Sequence, residues 1–245
     1  MRLTAIIITY NEEEMIGACL KSVSWTDEKI VIDTSSSDRT RSIAQKMGAK
    51  VYETQFENFS KLRELGLQKA QGEWLLYIDA DERLTTQFAT QFRSTIIDTK
   101  FSAFSLTRKN FYLGHPWPYS EKVVRLFKKN KLIGWFGDIH ESPKVNGRIG
   151  KLDQYIYHYT HRDIASMVEK TNKWSEIEAD LRLKANHPNM TSWRFIRIMA
   201  TSFWEYFIKQ QGYKAGTVGI IESIYQSFSS FITYAKLWER QQQKS

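Results

Sequence analysis

The sequence has few of the features that mark secreted or membrane-spanning proteins. Its single cysteine, Cys19, excludes a disulfide within the chain and is typical of a reducing compartment. No stretch reaches the about 18 apolar residues that a spanning helix needs, and the apolar run at the N-terminus is too short for a signal peptide. We therefore expect a cytoplasmic protein whose membrane contact is peripheral. Cys19 lies in a helical pattern, which predicts a buried core thiol rather than a nucleophile.

Acidic residues are fewer than basic residues. The chain has 27 of them against 35 lysines and arginines, a net charge of +8. This excess predicts an anionic partner, but it does not choose among a nucleotide, a nucleic acid and an acidic lipid surface. Internal repeats and low-complexity linkers are absent from the 245 residues. The length therefore predicts one large α/β domain, with room for a helical appendage.

Apolar runs alternate with helical patterns in the first part of the chain. The predicted strands are 3–9, 28–32, 50–53 and 74–78, and helices are predicted between them. This alternation predicts a mostly parallel sheet with helices on both faces. Later residues are predicted as strands at 102–108, 122–128 and 154–160, followed by helices at 164–183, 193–211 and 217–242.

Polar clusters follow three of the four early strands. They are Thr9-Tyr10-Asn11-Glu12, Asp33 to Asp38, and Asp79-Ala80-Asp81-Glu82. Each alone is as well explained by helix caps and turns. Because parallel strands end at the same edge of a sheet, where ligands bind, three such clusters favour a binding site.

The cluster Asp79-Ala80-Asp81 follows a buried strand. Two carboxylates at such a place repel each other unless they share a cation, and Mg²⁺ or Mn²⁺ combines carboxylates with phosphates and water. The sequence therefore predicts a site for a metal ion and a diphosphate, with the metal stabilising a departing nucleoside diphosphate.

Several motifs together resemble the family 2 glycosyltransferases of GT-A fold, and among them the lipopolysaccharide core glucosyltransferase-like proteins. The motifs are T-x-N-E-E after the first strand, D-x-x-S-x-D-x-T after the second, A-x-G-x-W-x-L-x-x-D-A-D-E at the fourth, and a later H-E. The resemblance implies a GT-A, Rossmann-like α/β sheet followed by a C-terminal helical region. It also implies an inverting, metal-dependent transferase.

The resemblance implies roles for individual residues as well. Thr9, Asn11 and Glu12 would line the base and ribose pocket, Asp33 would bind uracil or ribose, Asp79 would face the ribose or the metal, and Asp81 would bind the metal. Lys61 and Arg63 are candidates for binding the diphosphate. Arg125 is a candidate phosphate ligand or, equally, a solvated strand arginine. Ser35 and Glu64 depart from the family pattern, at positions where glycine and asparagine are frequent.

The segment Phe136-Gly137-Asp138-Ile139-His140-Glu141 carries the second chemical cluster. Inverting transfer needs a base beside the acceptor hydroxyl, and a carboxylate is sufficient. Glu141 is the first candidate and Asp138 the second. His140 could complete the metal shell or contact the diphosphate, or it could be an ordinary turn histidine. For His158 and His161, packing or a phosphate contact is favoured over a metal site.

The C-terminal residues 184–245 combine basic, aromatic and amphipathic character. This pattern suits an interfacial helix on an anionic membrane surface. It suits equally an apolar stripe that packs on the catalytic domain.

Three divisions of the chain are expected: 1–100 binds the nucleotide sugar, 101–162 forms the acceptor side, and 163–245 forms the helical region. The predicted activity is transfer of a UDP-linked hexose to a lipid-linked or lipopolysaccharide-core acceptor at the inner face of the cytoplasmic membrane. No nucleic-acid partner is expected. A nucleotidyltransferase acting on sugar phosphates is the alternative, although no glycine-rich basic loop follows the first strand. The second alternative is a non-catalytic protein that binds membrane or nucleic acid, but it does not explain the three acidic clusters.

Overall fold

The computed structural model describes residues 2–56, 58–97, 99–137 and 141–243. These residues form two compact units. The first comprises Met1–Lys109 and Glu121–His158, and the second comprises Asn110–Ser120 and Tyr159–Ser245. The functional division expected from the sequence, at residues 100 and 162, stays a prediction.

Four parallel strands form one half of the sheet. They are β1 (Leu3–Thr9), β2 (Glu28–Asp33), β3 (Lys50–Glu53) and β4 (Trp74–Asp79). Each agrees with its predicted bounds to within one residue, because a continuous apolar run bounded by polar residues is a strong strand signal. The helices of this region are α1 (Ile16–Ser22), α2 (Thr40–Lys46), α3 (Phe59–Lys69) and α4 (Phe88–Ile96).

Six further strands complete the β-structure. They are β5 (Glu82–Leu84), β6 (Ala103–Tyr112), β7 (His115–Lys128), β8 (Leu132–Phe136), β9 (Ser142–Val145) and β10 (Ile149–Thr160). The large sheet has the order β3-β2-β1-β4-β7-β6-β10-β5, and β8 pairs with β9 in a small second sheet. The joins β4 to β7 and β10 to β5 are antiparallel. The sequence did not predict β5, β8 or β9, which have three to five residues and, unlike β3, do not continue the alternation of strands and helices.

Two apolar cores lie on opposite faces of β1. Leu3, Ala5 and Ile7 belong to the core that contains residues of α1, α2 and α4. Ile6 and Ile8 belong to the core that contains Leu62 of α3. Successive side chains of a strand point to opposite faces, so this division follows from the strand itself. The predicted burial of Cys19 is confirmed, and burial raises the pKa of its thiol.

A glycine fixes how closely α3 approaches the sheet. A Cβ added to Gly66 would lie 2.5 Å from Cγ2 of Ile6, which is closer than carbon atoms pack. Leu62, Arg63 and Gly66 form the buried face of α3. The close approach at Gly66 therefore also sets the position of Arg63, one helical turn earlier.

The second unit contains the C-terminal helices. They are α5 (Ile164–Lys184), α6 (Ser192–Trp204) and α7 (Gly216–Gln243), and a π-helical turn (Glu205–Lys209) extends α6. The sequence predicted one helix over 193–211, whereas the structure ends the regular α-helix at Trp204. None of the helices in the described ranges is long and apolar enough to cross a membrane.

Candidate functional site

The three polar clusters lie side by side at one edge of the parallel sheet. Thr9 at the end of β1 is in register with Asp33 of β2, and its neighbour Ile8 is in register with Asp79 of β4. The predicted adjacency of the clusters is therefore confirmed. The order β2-β1-β4 places the β1 cluster between the two aspartate clusters.

Asp33 organises the loop that follows β2. It is fully buried, and its two carboxylate oxygens accept hydrogen bonds from the backbone N–H and the hydroxyl of Ser36, at 2.9 and 2.6 Å. The hydroxyl oxygen of Ser36 accepts from the N–H of Asn11 at 2.8 Å. Asn11 has a positive φ of 50°, and its side-chain oxygen accepts from the N–H of Ser37 at 2.8 Å. This network ties the first two clusters together, and the predicted nucleotide contacts of Asp33 and Asn11 stay predictions.

Glu12 and Thr9 belong to the cluster that follows β1 and differ in their contacts. The N–H of Glu12 donates to the hydroxyl of Thr40 at 2.8 Å, and its carbonyl accepts from the N–H groups at the start of α1. The hydroxyl of Thr9 is buried and has no hydrogen-bond partner within the described residues. A buried, unsatisfied hydroxyl at the sheet edge is a group that a bound ligand could satisfy.

Lys61 lies in the first turn of α3, where its N–H donates to the capping side chain of Asn58 at 2.9 Å. Its side chain is exposed and lines a cavity of about 240 Å³ together with Thr54 and Gln55, which follow β3. Lys61 is thus available to an anionic ligand at this edge of the sheet, and its predicted contact with the diphosphate stays a prediction.

Arg63 connects Glu141 of the second chemical cluster to Asp79 at the end of β4. Its side chain is only 4% exposed. Its Nε donates to Oε1 of Glu141 at 2.7 Å, and its Nη2 donates to Oδ1 of Asp79 at 3.3 Å. The guanidinium also lies over the rings of Trp135 and Tyr77, with distances to the centroids of 4.8 and 5.8 Å. These aromatic faces favour the cation and hold it in one place.

Arg125 occupies the other side of Asp79. Its Nη2 donates to Oδ2 of Asp79 at 2.7 Å and to Oε1 of Glu82 at 3.0 Å. Glu82 is fully buried, accepts from the N–H of Asp79 at 3.0 Å, and also binds Arg108 at 3.2 Å. Because Arg125 is only 6% exposed, the alternative that it is a solvated strand arginine is wrong.

These contacts form an alternating chain of charges from Glu141 through Arg63, Asp79, Arg125 and Glu82. Burial alone would raise the pKa of Asp79, but the charges of Arg125 and Arg63 outweigh it and hold that pKa below its ordinary value. Burial would likewise lower the pKa of Arg125, yet Asp79 and Glu82 raise it. Asp79 is therefore ionised, and each of its oxygens contacts an arginine.

Asp81 lies beside a residue that the sequence did not connect with it. Its Oδ2 is 3.3 Å from Nε2 of His158 on β10. The antiparallel pairing of β10 with β5, in which His158 is opposite Glu82, creates this contact. Burial would lower the pKa of His158, but the charge of Asp81 raises it above its ordinary value. No local signal could have revealed the pair, because it depends on strands far apart in the chain.

The fit of a metal ion to this site depends on its donor groups. A carboxylate and an imidazole are ligands that Mn²⁺ accepts, and water and a diphosphate commonly supply the others. Within the described ranges, no group of three or more His, Cys, Asp and Glu side chains could hold a metal by itself. A metal held by Asp81 and His158 would therefore need its remaining ligands from the substrate and from water, and for His158 the sequence had favoured packing or a phosphate contact instead. His140 and Asp138, the predicted metal ligand and second base, lie outside the described residues.

Glu141 directly follows residues 138–140, and its side chain is 13% exposed.

His161, the other histidine considered in the sequence, belongs to the second unit. Its Nδ1 lies 2.9 Å from the buried Glu222, and its ring stacks on Tyr112. Its predicted packing role is confirmed.

The comparison with protein families and curated sequences gives a consistent result. The model for Glycosyl transferase family 2 matches residues 4–201. The chain is 26% identical to an uncharacterized glycosyltransferase of Rickettsia conorii, over 97% of this chain and 90% of that protein. It is 23% identical to the lipopolysaccharide core biosynthesis glycosyltransferase LpsC of Rhizobium meliloti, over 97% and 92% of the two chains.

Two solved structures support the fold. The mannosyltransferase PcManGT from Pyrobaculum calidifontis, in complex with GDP-Man and Mn²⁺, has a TM-score of 0.55 at 14% identity, over 96% of this chain and 86% of that one. TarS 1–349 of S. aureus, in complex with UDP-GlcNAc, has a TM-score of 0.52 at 15% identity, over 100% and 93%. At such identities the likeness establishes the fold alone. The predicted GT-A architecture with a C-terminal helical region is confirmed. With a family match over most of its length and glycosyltransferases among its full-length relatives, the chain belongs to glycosyl transferase family 2 and is a glycosyltransferase.

Proposed function

We propose that the protein transfers a hexose, with inversion, from a UDP-linked sugar to a hydroxyl of a lipid-linked or lipopolysaccharide-core glycan. The observation that carries this proposal is the buried chain of charges. It joins the candidate base Glu141 to Asp79 at the end of β4 through a single side chain, Arg63. A base and a donor site held by one rigid group suit a reaction in which acceptor and donor must be aligned.

The donor would bind across the ends of β1, β2 and β4. Thr9, Asn11, Glu12 and Asp33 would line its base and ribose pocket, and Lys61 would contact the diphosphate. The buried hydroxyl of Thr9, which has no partner within the described residues, supports a ligand at this edge. The structural neighbours are complexes with UDP-GlcNAc and GDP-Man, so a nucleotide sugar is the class of donor they favour.

Asp81 and His158 would hold Mg²⁺ or Mn²⁺, and the aspartate is the stronger candidate because it is an anionic oxygen ligand. The chemistry that such an ion supplies is neutralisation of charge on the leaving diphosphate. Asp79, which already contacts Arg63 and Arg125, would reach the ribose or the ion by exchanging one of these contacts. The complex of PcManGT with Mn²⁺ supports a divalent ion in this fold.

Glu141 would act as the base. The acceptor hydroxyl attacks the anomeric carbon as the bond from that carbon to the phosphate oxygen breaks, and the electron pair leaves with the nucleoside diphosphate. The hydroxyl proton passes to Glu141, whose Oε1 is held by Arg63. Arg63 would orient the carboxylate so that its other oxygen faces the acceptor. LpsC supports a lipopolysaccharide-core acceptor, and such a reaction would take place at the cytoplasmic face of the inner membrane.

The test is a panel of UDP- and GDP-linked sugars, each incubated with the purified protein with and without Mn²⁺, with the released nucleoside diphosphate measured. The expected result is metal-dependent release from a UDP-hexose. In the Glu141→Gln variant we expect transfer to acceptor to fall by a factor of about 10² to 10⁴, with the donor dissociation constant unchanged. Glu73→Gln, at an exposed position, is the matched control and should retain full activity. Normal transfer by Glu141→Gln would remove Glu141 as the base.

A further inference from the structure

Helix α6 presents an apolar stripe that the described residues of its own unit leave uncovered. The described residues 192–209 include no buried residue. Trp193, Ile196 and Trp204 are 67%, 59% and 56% exposed. At about 100° per residue, these three side chains lie within an arc of about 80° on the helix. An exposed stripe of this size on one helix face marks an interaction surface.

The rest of α6 shows that this stripe is not its packing face. The ring of Phe195 lies 5.7 Å from that of Phe231 on α7. The hydroxyl of Ser230 donates to that of Ser202 at 3.2 Å, and the hydroxyl of Ser227 donates to the carbonyl of Met199 at 3.1 Å. Helix α6 therefore packs on α7 through one side and leaves its largest apolar residues on another.

Two arginines accompany the stripe. Arg194 and Arg197 form no ion pair with any carboxylate of the described residues. The basic residues of α7 differ, because Lys236 binds Glu176 at 2.6 Å and Arg240 binds Asp180 at 2.6 Å on α5. Among the described residues of α6 and α7, the basic side chains without an ion pair are thus the two arginines next to the exposed tryptophans.

We propose that α6 lies flat on an anionic phospholipid surface, with Trp193, Ile196 and Trp204 in the interface and with Arg194 and Arg197 at the headgroups. Tryptophan favours the boundary between hydrocarbon and water, and unpaired arginines are attracted to anionic lipid. A helix of 13 residues is too short to span a bilayer but suits its surface.

Other occupants fit this surface less well. A second copy bound through this face by a two-fold axis would bring the arginines of one copy close to those of the other. A nucleic acid would match the charge but would leave Ile196 and its aliphatic neighbours against a polar backbone. If the protein acts on lipid-linked acceptors, as the proposed function has it, an anionic phospholipid surface is where it would meet them.

The experiment is co-sedimentation of the full chain with vesicles, without donor or acceptor. Vesicles of phosphatidylglycerol and phosphatidylcholine are compared with vesicles of phosphatidylcholine alone, at low and high salt. We expect binding to the anionic vesicles that weakens with salt. In Arg194→Gln with Arg197→Gln, the partition coefficient should fall about 30-fold, from about 1 kcal/mol per charge. In Trp193→Ser with Trp204→Ser it should fall at least about tenfold.

The matched control is Lys46→Gln with Arg93→Gln, which removes the same charge from exposed positions of the first unit. It should bind like the wild type, and circular dichroism should show that all variants are folded. Equal binding to neutral and anionic vesicles, or an equal loss in the control, would overturn the proposal. So would self-association through α6, or salt-sensitive binding of single-stranded RNA in place of vesicles. Because release of the nucleoside diphosphate from the donor panel is measured separately and without vesicles, failure here leaves the proposed activity untouched.

Discussion

Replacing Arg125 by leucine tests whether the buried charges act as one unit. Its Nη2 bridges Asp79 and Glu82 at 2.7 and 3.0 Å, and removing one partner of a buried pair destabilises a protein by about 3 to 5 kcal/mol. Asp79 keeps Arg63 at 3.3 Å, and Glu82 keeps Arg108 at 3.2 Å. Each carboxylate thus retains one longer contact, so we expect a loss near the lower end, about 3 kcal/mol.

The loss should depend on pH. In the wild type, the pKa of Asp79 is held below its ordinary value of 3.8. Its stabilising contribution is therefore present above that value and is lost as the pH falls through the folded-state pKa. In the variant, Asp79 keeps only Arg63 beside it, so its folded-state pKa lies closer to the ordinary value and less stability is lost as the pH falls. Both effects make the difference between the two proteins smallest in acid.

The measurement is urea unfolding of both proteins in the presence of a chelator, from pH 7 to pH 3. The control is Arg39→Leu, which removes an arginine that is 80% exposed and pairs with Glu13 on the surface. Surface pairs contribute little, so its unfolding free energy should match that of the wild type. A loss below about 1 kcal/mol at pH 7 for Arg125→Leu, or a loss that stays constant towards pH 3, would refute a coupled buried network.

Three further predictions concern the metal, the nucleotide and the packing of α3. Asp81→Asn should abolish Mn²⁺ binding and with it Mn²⁺-dependent turnover, and His158→Gln should raise the Mn²⁺ concentration needed. Calorimetric titration of Mn²⁺ with UDP present checks the binding of both variants, and titrations like that of the wild type would remove the pair as ligands. Asp33→Ala should weaken UDP binding by about 1 to 3 kcal/mol, and an unchanged UDP dissociation constant would leave Asp33 with only its role in the loop. Gly66→Ala should destabilise the protein by about 1 to 3 kcal/mol because its Cβ meets Ile6 at 2.5 Å, and a midpoint of urea unfolding equal to that of the wild type would contradict this contact.

Much of the fold was predictable because its signals are local. The run of apolar residues in β1 and the helical spacing of α3 depend on neighbours within a few positions, so β1 has its predicted bounds and α3 lies between β3 and β4 as predicted. The short strands β5, β8 and β9 were missed because each is defined by its pairing partner and not by its own pattern.

The candidate site divides in the same way. The alternation of strands and helices was enough to predict that Asp33, Asp79 and Asp81 share one edge of a parallel sheet. The sequence also identified Arg63 and Glu141 as residues of interest, but not as partners.

Which charges meet depends on how separate elements pack against one another. Arg63 and Glu141 are 78 positions apart, and Arg125 and Asp79 are 46 apart. His158 reaches Asp81 only because β10 pairs with β5 at the far end of the sheet. Such contacts leave no periodic trace along the chain, because the geometry that creates them belongs to the packing of separate elements and not to any one of them.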